Sequence, residues 1–310
     1  MYKRQLILFI VKLFDKHITF ELHQVIKNIG ELEKHINIKN YFLKKFLNLG
    51  LIIYYWALGV ISDKIIVFEQ ELKNRLTNII PLKKIEALSI GVYKNNSIAK
   101  NIAKQKIRIP RGKFLLLVFG FINGYKGIDW IIKASYVLQK NIHLLIAGGK
   151  NPYLKDKPHY KRFYRGLANE AKKREYITHT GFIPDSKVGL YFSAADLVIM
   201  PYEVFMSASG PFSLALEYKK PVMFSEALSN YQKSLDFAKA MDMVGLKGKD
   251  LFFKLNQQSL FYLVNKAMKN RNYYAKLINF SKTLSKMRAI DKTTARLNNM
   301  LMPENTAQHI

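Results

Sequence analysis

The chain contains no cysteine and has few acidic residues for its length. Without cysteine it can form no disulfide, no thiolate metal site and no cysteine nucleophile, which fits a reducing compartment. Its seven histidines are scattered rather than clustered, so no zinc site is indicated. The short apolar run LILFIV near the start is not followed by the small residues of a signal-peptidase site, so we expect no secretory signal. The expected location is therefore cytoplasmic.

The shortage of acid makes the protein strongly basic. Fifty Lys and Arg residues against 22 Asp and Glu give a formal net charge of +28, and the excess is spread along the chain. A field of this sign attracts nucleic acids, anionic lipid surfaces or phosphorylated small molecules. No RNA-binding motif accompanies it, and the aromatic residues lie in apolar segments. We therefore expect no nucleic-acid partner. We expect the protein to attach peripherally to an anionic membrane surface at the inner face of the cell.

Residues 46–61, FLNLGLIIYYWALGVI, form a long apolar stretch that follows Lys44 and Lys45. A membrane-spanning helix needs about 20 residues, so the stretch is slightly short. A buried helix, or a helix lying on a membrane surface, is favoured over a transmembrane segment.

From residue 113 onward, short apolar runs alternate with helical patterns. The runs are FLLLVFGF, HLLIAGG, YITHTGF, DLVIMPY and PVMFS, and the intervening helices fall near 127–139, 158–173, 185–194 and 210–218. This alternation predicts a doubly wound parallel sheet. Upstream, KHITFELHQV and SDKIIVFEQELKNRL predict two further strands separated by a long helix that ends at Ile61. After residue 250 the pattern predicts only helices, and the final PENTAQHI predicts a frayed tail.

The stretch GFINGYKGID, residues 120–129, lies between an apolar run and a helix start. Glycines permit tight turns, and a helix N-terminus presents unpaired N–H groups to an anion, so the stretch suggests a phosphate site. It matches neither the Walker loop nor the G-x-G-x-x-G pattern. An ordinary strand-to-helix turn explains the glycines equally well, and this stretch alone leaves both interpretations open.

Four pieces in order, FGFINGYKGID, HLLIAGG, THTGFIPDSKVGLYFSAADLVIMPY and SASGPFSLALEYKKPVMFS, resemble family 4 glycosyltransferases, also called glycosyl transferases group 1. ITFELHQV and SDKIIVFEQELKNRL are weaker matches upstream. The resemblance implies an α/β protein of GT-B type. Its C-terminal Rossmann-like parallel-sheet domain would be complete, and the first part of its N-terminal Rossmann-like domain would be absent. The expected domains are a partial acceptor-side domain at 1–95, a linker at 96–112, a nucleotide-sugar-binding domain at 113–275, and C-terminal helices and tail at 276–310.

The resemblance implies that Lys126 contacts the diphosphate of a nucleotide sugar, together with the turn at Ser209 and Gly210. Ser209 as an ordinary helix cap is the alternative. His23 would contact the transferred sugar, although a lone histidine after a strand is often structural. The catalytic candidates are His23 and Lys126. The donor-binding candidates are Gly120, Asn123, Lys126, Gly127, Phe182, Ile183, Glu203, Ser209, Gly210 and Pro211.

The sequence departs from the family at several of these positions. Asn123 stands where family members usually have an arginine, and the two glutamates common in the family fall near Ser207 and Leu214. Glu203 and Glu217 are close but out of register, and Glu217 is also explained as a solvated helix residue.

The resemblance implies a retaining glycosyltransferase of hexosyl type. It would move a sugar from a nucleoside diphosphate sugar to a hydroxyl of a glycan or lipid-linked acceptor, with no metal or other cofactor. The alternative is a non-catalytic or split-enzyme subunit that binds the sugar nucleotide. Because the N-terminal sheet would expose an edge, we also expect a second chain, a dimer mate or a membrane to cover it.

Overall fold

The computed structural model describes residues 17–32, 40–137 and 141–301. The chain divides into two compact units: Met1–Gly91 with Met206–Ala208 and Ile290–Ile310, and Val92–Phe205 with Ser209–Ala289. The apolar run LILFIV near the start and the expected frayed tail PENTAQHI lie outside the described residues.

The first unit contains a parallel sheet in the order β1-β2-β3. Its strands are β1 (Thr19–Leu22), β2 (Lys64–Phe68) and β3 (Ile85–Leu88), and its helices are α1 (Tyr41–Ile61), α2 (Gln70–Leu76) and α12 (Ile290–Leu301). The sequence predicts β1, α1 and β2. It misses β3, because IEAL is four residues long and has no clear alternation of apolar and polar positions.

An arginine-centred network fixes the chain that follows β1. Arg75 is buried in α2, and it donates to the carbonyl of Val25 at 2.8 Å, to Glu31 at 2.8 Å and to Glu71 at 3.0 Å. Charge-assisted hydrogen bonds of this kind hold an irregular segment in one conformation. The segment after His23 is therefore tied to the sheet.

The second unit contains a six-stranded sheet in the order β6-β5-β4-β7-β8-β9, in which every pairing is parallel. The strands are β4 (Phe114–Phe119), β5 (Ile142–Ala147), β6 (Ile177–His179), β7 (Leu197–Met200), β8 (Val222–Ser225) and β9 (Phe252–Phe253). The helices are α3 (Lys100–Lys106), α4 (Ile128–Ala134), α5 (Pro158–Lys172), α6 (Asp185–Ala194), α7 (Gly210–Glu217), α8 (Leu235–Val244), α9 (Gly248–Leu251), α10 (Gln257–Lys269) and α11 (Arg271–Met287). Strand β5 is buried along its whole length, as expected of a parallel strand covered on both faces.

The predicted parallel sheet is present, with its five predicted strands as β4 to β8. The pattern after residue 250 predicts helices alone, and the structure adds the two-residue strand β9 beside β8. Two residues are too few to produce a periodic signal. The segment expected to be a linker, 96–112, contains α3, which packs on α6 within the second unit.

A cluster of aromatic rings seats helix α7 on the sheet. The centroids of Phe212 and Phe224 are 5.0 Å apart, and Tyr231 lies 5.1 Å from Phe212. Phe237 and Phe280 extend the cluster with centroids 5.0 Å apart. Buried aromatic pairs at these distances contribute about 0.5–1.5 kcal/mol each beyond the area that they bury. The start of α7 is consequently a rigid feature.

A buried carboxylate fixes the opposite, amino-terminal edge of the same sheet. Asp196 is 4% exposed, and it accepts hydrogen bonds from Lys100 at 2.7 Å, from Lys104, and from the backbone N–H of Leu115 at 2.8 Å. These bonds tie α3 to β4 and β7.

Replacing Asp196 by alanine should lower the free energy of unfolding by about 2–4 kcal/mol, because the half-buried Lys104 loses its carboxylate partner and the buried N–H of Leu115 loses its acceptor. The same change at the exposed Asp242 should alter it by less than about 0.5 kcal/mol. Urea unfolding followed by circular dichroism measures both values. Equal effects at the two positions would contradict the role given to Asp196.

Candidate functional site

The loop after β4 turns sharply and closely approaches the end of β7. Gly120 has φ +102° and Gly127 has φ +62°, conformations that favour glycine. A Cβ atom at Gly127 would lie 2.0 Å from the carbonyl oxygen of Pro201, so no other residue fits there. Between the two glycines, Gly124–Lys126 forms a 3-10 turn that leads into α4. The turn thereby holds Lys126 at the carboxyl edge of the sheet.

The side chain of Lys126 lies beside the first turn of α7. A Cβ atom at Gly120 would be 2.6 Å from the Lys126 Nζ and 3.2 Å from the Pro211 Cγ. The missing side chain at Gly120 therefore leaves room for the ammonium close to Pro211. Lys126, Gly120 and the start of α7, which the sequence predicts as one site, are brought together within the second unit.

The ammonium of Lys126 is in an unfavourable environment for a cation. The residue is 6% exposed, and burial lowers the pKa of its ammonium from 10.5 to about 8. Its Nζ lies 5.9 Å from the centroid of the buried Tyr202 ring. Within residues 17–32, 40–137 and 141–301, no carboxylate forms an ion pair with it. Such an ammonium binds an entering anion strongly, because the anion replaces lost hydration.

The first turn of α7 adds the helix dipole and the N–H of Gly210 next to this ammonium. Ser209 occupies the N-cap position, but its side chain makes no capping hydrogen bond; its Oγ lies 3.4 Å from the Tyr202 hydroxyl instead. The carbonyl of Ser209 accepts from the N–H groups of Phe212 and Ser213. Gly210 is exposed at the first helical position, and Pro211 follows it. An uncapped helix start of this kind attracts negative charge.

A cavity of about 350 Å³ lies next to the glycine turn, bounded by the carboxyl ends of β4, β5 and β6 and by α6 and α7. Gly149 forms part of its wall, and a Cβ atom there would be 2.8 Å from the Phe182 Cβ. Ile183, which is buried, lines the same cavity. The predicted pair Phe182 and Ile183 is therefore next to Gly120.

Two exposed phenylalanines stand at this cavity. Phe121 is 40% exposed and Phe182 is 64% exposed, and their rings are nearly parallel, with centroids 6.4 Å apart and an interplanar angle of 15°. Exposed aromatic faces are available for stacking on a planar ligand. The sequence analysis misses Phe121, because an apolar residue after a strand resembles strand continuation.

Glu217 is a further cavity residue, and the interpretation of it as a solvated helix residue is wrong. It is 8% exposed, lies one helical turn after Leu214 on α7, and accepts a hydrogen bond from the Asn95 amide. Burial raises the pKa of its carboxyl, and the bond from Asn95 acts in the opposite direction. A spacing of three residues places Leu214 and Glu217 on the same helix face, a signal that was available in the sequence.

Asn123 and Glu203 have mainly local contacts. The Asn123 Oδ1 accepts from the Asn151 side chain at 2.7 Å, which links the loops after β4 and β5. The backbone N–H of Glu203 donates to the carbonyl of Tyr125 at 2.7 Å, and the residue is half-buried. Both residues stabilise the loops that carry Lys126.

His23 belongs to the first unit, where it directly follows β1. Its side chain is 69% exposed, its Nε2 lies 3.2 Å from Glu21, and its ring centroid is 4.9 Å from that of Phe68. Its backbone carbonyl accepts from the Ser207 hydroxyl at 2.8 Å. At the same carboxyl edge, the buried Glu69 has φ +68°, a strained conformation that sequence reasoning does not reveal.

Comparison with solved structures shows the same fold in several glycosyltransferases. Sucrose-phosphate synthase from Thermosynechococcus elongatus aligns with a TM-score of 0.70 and 14% identity, covering 93% of this chain and 69% of that chain. HepE from Anabaena, solved with UDP and glucose, aligns with a TM-score of 0.69 and 13% identity, covering 97% of this chain and 76% of that chain. WaaG, a glycosyltransferase of lipopolysaccharide biosynthesis, aligns with a TM-score of 0.63 and 17% identity, covering 91% of this chain and 73% of that chain. No curated protein sequence matches the chain.

The sequence model described as "Glycosyl transferases group 1" matches residues 99–283, which is more than half of the chain. The match includes all six strands of the second sheet, the lysine turn and the start of α7. The predicted α/β fold of GT-B type and the predicted family are both confirmed. Because this family model matches more than half of the chain, the chain belongs to the group 1 glycosyltransferases.

Proposed function

We propose that the protein transfers a hexose from a nucleoside diphosphate sugar to a hydroxyl group of a glycan or lipid-linked glycan, with retention of anomeric configuration. The observation that carries this proposal is the buried ammonium of Lys126 beside the start of α7, which no carboxylate of the described residues pairs with. An ammonium and helix amides together suit a diphosphate. The neighbouring HepE was solved with UDP-glucose, which supports a donor of this class.

The nucleoside would occupy the 350 Å³ cavity. A base would stack on Phe121 or Phe182, and Glu217 would accept hydrogen bonds from ribose hydroxyls. The diphosphate would then extend from the cavity, past Gly120, to Lys126 and Gly210. This order follows the layout of the cavity and the lysine turn on one sheet edge.

Lys126 would act mainly on the departing diphosphate. Negative charge grows on the terminal phosphate oxygen as the glycosidic bond breaks, and a fixed ammonium with fixed amide dipoles stabilises it without reorganisation. These groups would supply the positive charge that a metal provides elsewhere, so we propose a metal-independent reaction without a further cofactor. His23 would hydrogen-bond the transferred sugar. We place the enzyme in the cytoplasm, attached peripherally to the inner face of the cell membrane.

A second candidate function, a non-catalytic or split-enzyme subunit that binds sugar nucleotides, is favoured by Asn123. A neutral amide bonded to Asn151 stands where a second cation is expected. The two candidates are separated by incubating the purified chain with UDP-sugars and glycan acceptors. Donor binding with sugar transfer supports the enzyme. Donor binding that depends on Lys126, without transfer or donor hydrolysis, supports the subunit.

Replacing Lys126 by methionine should weaken the binding of UDP and of inorganic pyrophosphate at least tenfold. The same change should raise the free energy of unfolding by on the order of 2 kcal/mol at pH 7, because it removes the cost of a buried charge. Calorimetric titration and urea unfolding measure the two effects. Lys133→Met, at an exposed position of α4, is the control and should change neither. Unaltered pyrophosphate binding in Lys126→Met would contradict the proposal that Lys126 binds the diphosphate.

Donor affinity should fall as the pH rises above about 8, the pKa of Lys126 in the free protein. Only the protonated ammonium attracts the diphosphate, so the dissociation constant for UDP should increase about tenfold per pH unit above that value. The same group should make the free energy of unfolding rise as the pH increases from about 8 to 10.5, because in that range the unfolded chain binds more protons than the folded chain. Titrations from pH 6 to 10 test the profile, and Lys126→Arg should flatten it.

Replacing Phe121 or Phe182 by alanine should weaken UDP binding by about tenfold, since stacking on a base contributes roughly 1–3 kcal/mol. Pyrophosphate has no base, so its affinity should stay unchanged in both variants. Tyr153→Ala, at a position that is 92% exposed, serves as the aromatic control. Loss of pyrophosphate and UDP binding together would instead indicate that the whole turn had collapsed.

A further inference from the structure

Helix α1 presents a continuous apolar stripe that nothing in the described chain covers. The exposed fractions are 79% for Phe42, 72% for Phe46, 55% for Leu49, 54% for Ile53, 58% for Trp56 and 53% for Val60. Their spacing of four, three, four, three and four residues keeps them in one narrow stripe along the 21-residue helix. Isolated exposed apolar residues are ordinary, but a connected stripe about 30 Å long marks an interaction surface.

The opposite face of α1 is fastened to the first unit. Tyr55, Leu58 and Gly59 are buried, and a Cβ atom at Gly59 would be 2.9 Å from the Ile80 Cγ1. The Tyr55 hydroxyl accepts from the N–H of Ile26 at 3.0 Å, and Asn48 accepts from the N–H of Ile29 at 2.7 Å.

The C-terminal end of α1 is also held in place. The Lys84 ammonium donates to the carbonyls of Gly59 and Ser62 at 2.8 and 2.7 Å. Helix α1 is long and apolar enough to cross a membrane. A helix that is fixed to the first unit at Asn48, at Tyr55 and along its last turn, however, is arranged to lie on a surface rather than to cross a bilayer.

The charges on α1 indicate what covers the stripe. Its charged residues are Lys44 and Lys45, both near its N-terminal end, and it contains no acidic residue. The protein as a whole carries +28. A second copy of the helix would bring like charges together or leave them without acidic partners, which disfavours pairing between copies. Phenylalanine and tryptophan on one face, with the exposed Lys45 at the edge of that face beside Phe46, suit the interface of an anionic bilayer.

We infer that the stripe Phe42–Phe46–Leu49–Ile53–Trp56–Val60 is the surface by which this protein lies in the headgroup region of an anionic membrane. This inference deepens the peripheral attachment proposed above, and it is independent of the donor site. Helix α1 lies in the plane of the bilayer, with its apolar stripe about 5–10 Å deep and Lys45 among the lipid phosphates. Lipid-linked acceptors are held in that plane.

Trp56 is one of only two tryptophans, so it reports directly on the stripe. In a Trp130→Phe background, Trp56 emission should shift to the blue with vesicles of phosphatidylglycerol and phosphatidylcholine, and much less with phosphatidylcholine alone. Lipids brominated near the headgroup should quench it more than lipids brominated at the chain ends. Unchanged emission, or stronger quenching from the chain ends, would overturn the in-plane arrangement.

Vesicle flotation of the whole protein gives the matched comparison. Phe46→Glu with Trp56→Glu should abolish flotation, and Lys45→Gln should lower vesicle affinity roughly fivefold. Leu235→Glu, at an 88% exposed position of the second unit, should leave flotation unchanged. UDP binding measured in the same samples should be equal in all variants, which separates this inference from the donor site. A concentration-dependent dimer that the glutamate pair dissolves, without vesicle binding, would assign the stripe to a second copy instead.

Discussion

The candidate site depends on a single electrostatic constraint, an ammonium that the fold buries without providing a carboxylate. Two other cations with little exposed side chain have carboxylate partners: Arg75 is paired with Glu31 and Glu71, and Arg288 with Asp236. Lys126 has instead an aromatic face, a glycine and the first turn of a helix. The lowered pKa of Lys126 reflects the free-energy cost of burying its charge, and a bound dianion would reduce that cost. Folding stability and ligand affinity are therefore opposed at this residue.

The parallel sheet is what allows so few residues to form the site. Parallel strands end at one edge, so the loops after β4, β5 and β6 meet without long connections. The glycines determine how closely they meet: a Cβ atom at Gly148 would lie 2.0 Å from the carbonyl oxygen of Gly120. At the other edge, Asp196 secures α3 to the strands, so the two edges have separate tasks. One edge stabilises the unit and the other is open for binding.

Much of this architecture could be read from the sequence, and the exceptions have physical reasons. Alternating apolar runs and helical patterns identify β4 to β8, because buried parallel strands are continuously apolar. Short strands such as β9 owe their conformation to pairing with a neighbour, which a local pattern does not contain. The proximity of Lys126 to Pro211 could be expected only through the family resemblance, since these two residues are far apart in the chain. The burial of Glu217 depends on Asn95, which is more distant still.

The close approach at Gly127 has a consequence for how such a site can diversify. Its contact with the carbonyl of Pro201 involves backbone atoms, and it is the same whatever sugar nucleotide is bound. By contrast, Phe121, Phe182 and Glu217 line the neighbouring cavity, and their side chains take no part in that backbone contact. In the proposed donor site, substitution at these three positions would therefore alter the contacts of the base and ribose, while the backbone turn that holds Lys126 stayed unchanged.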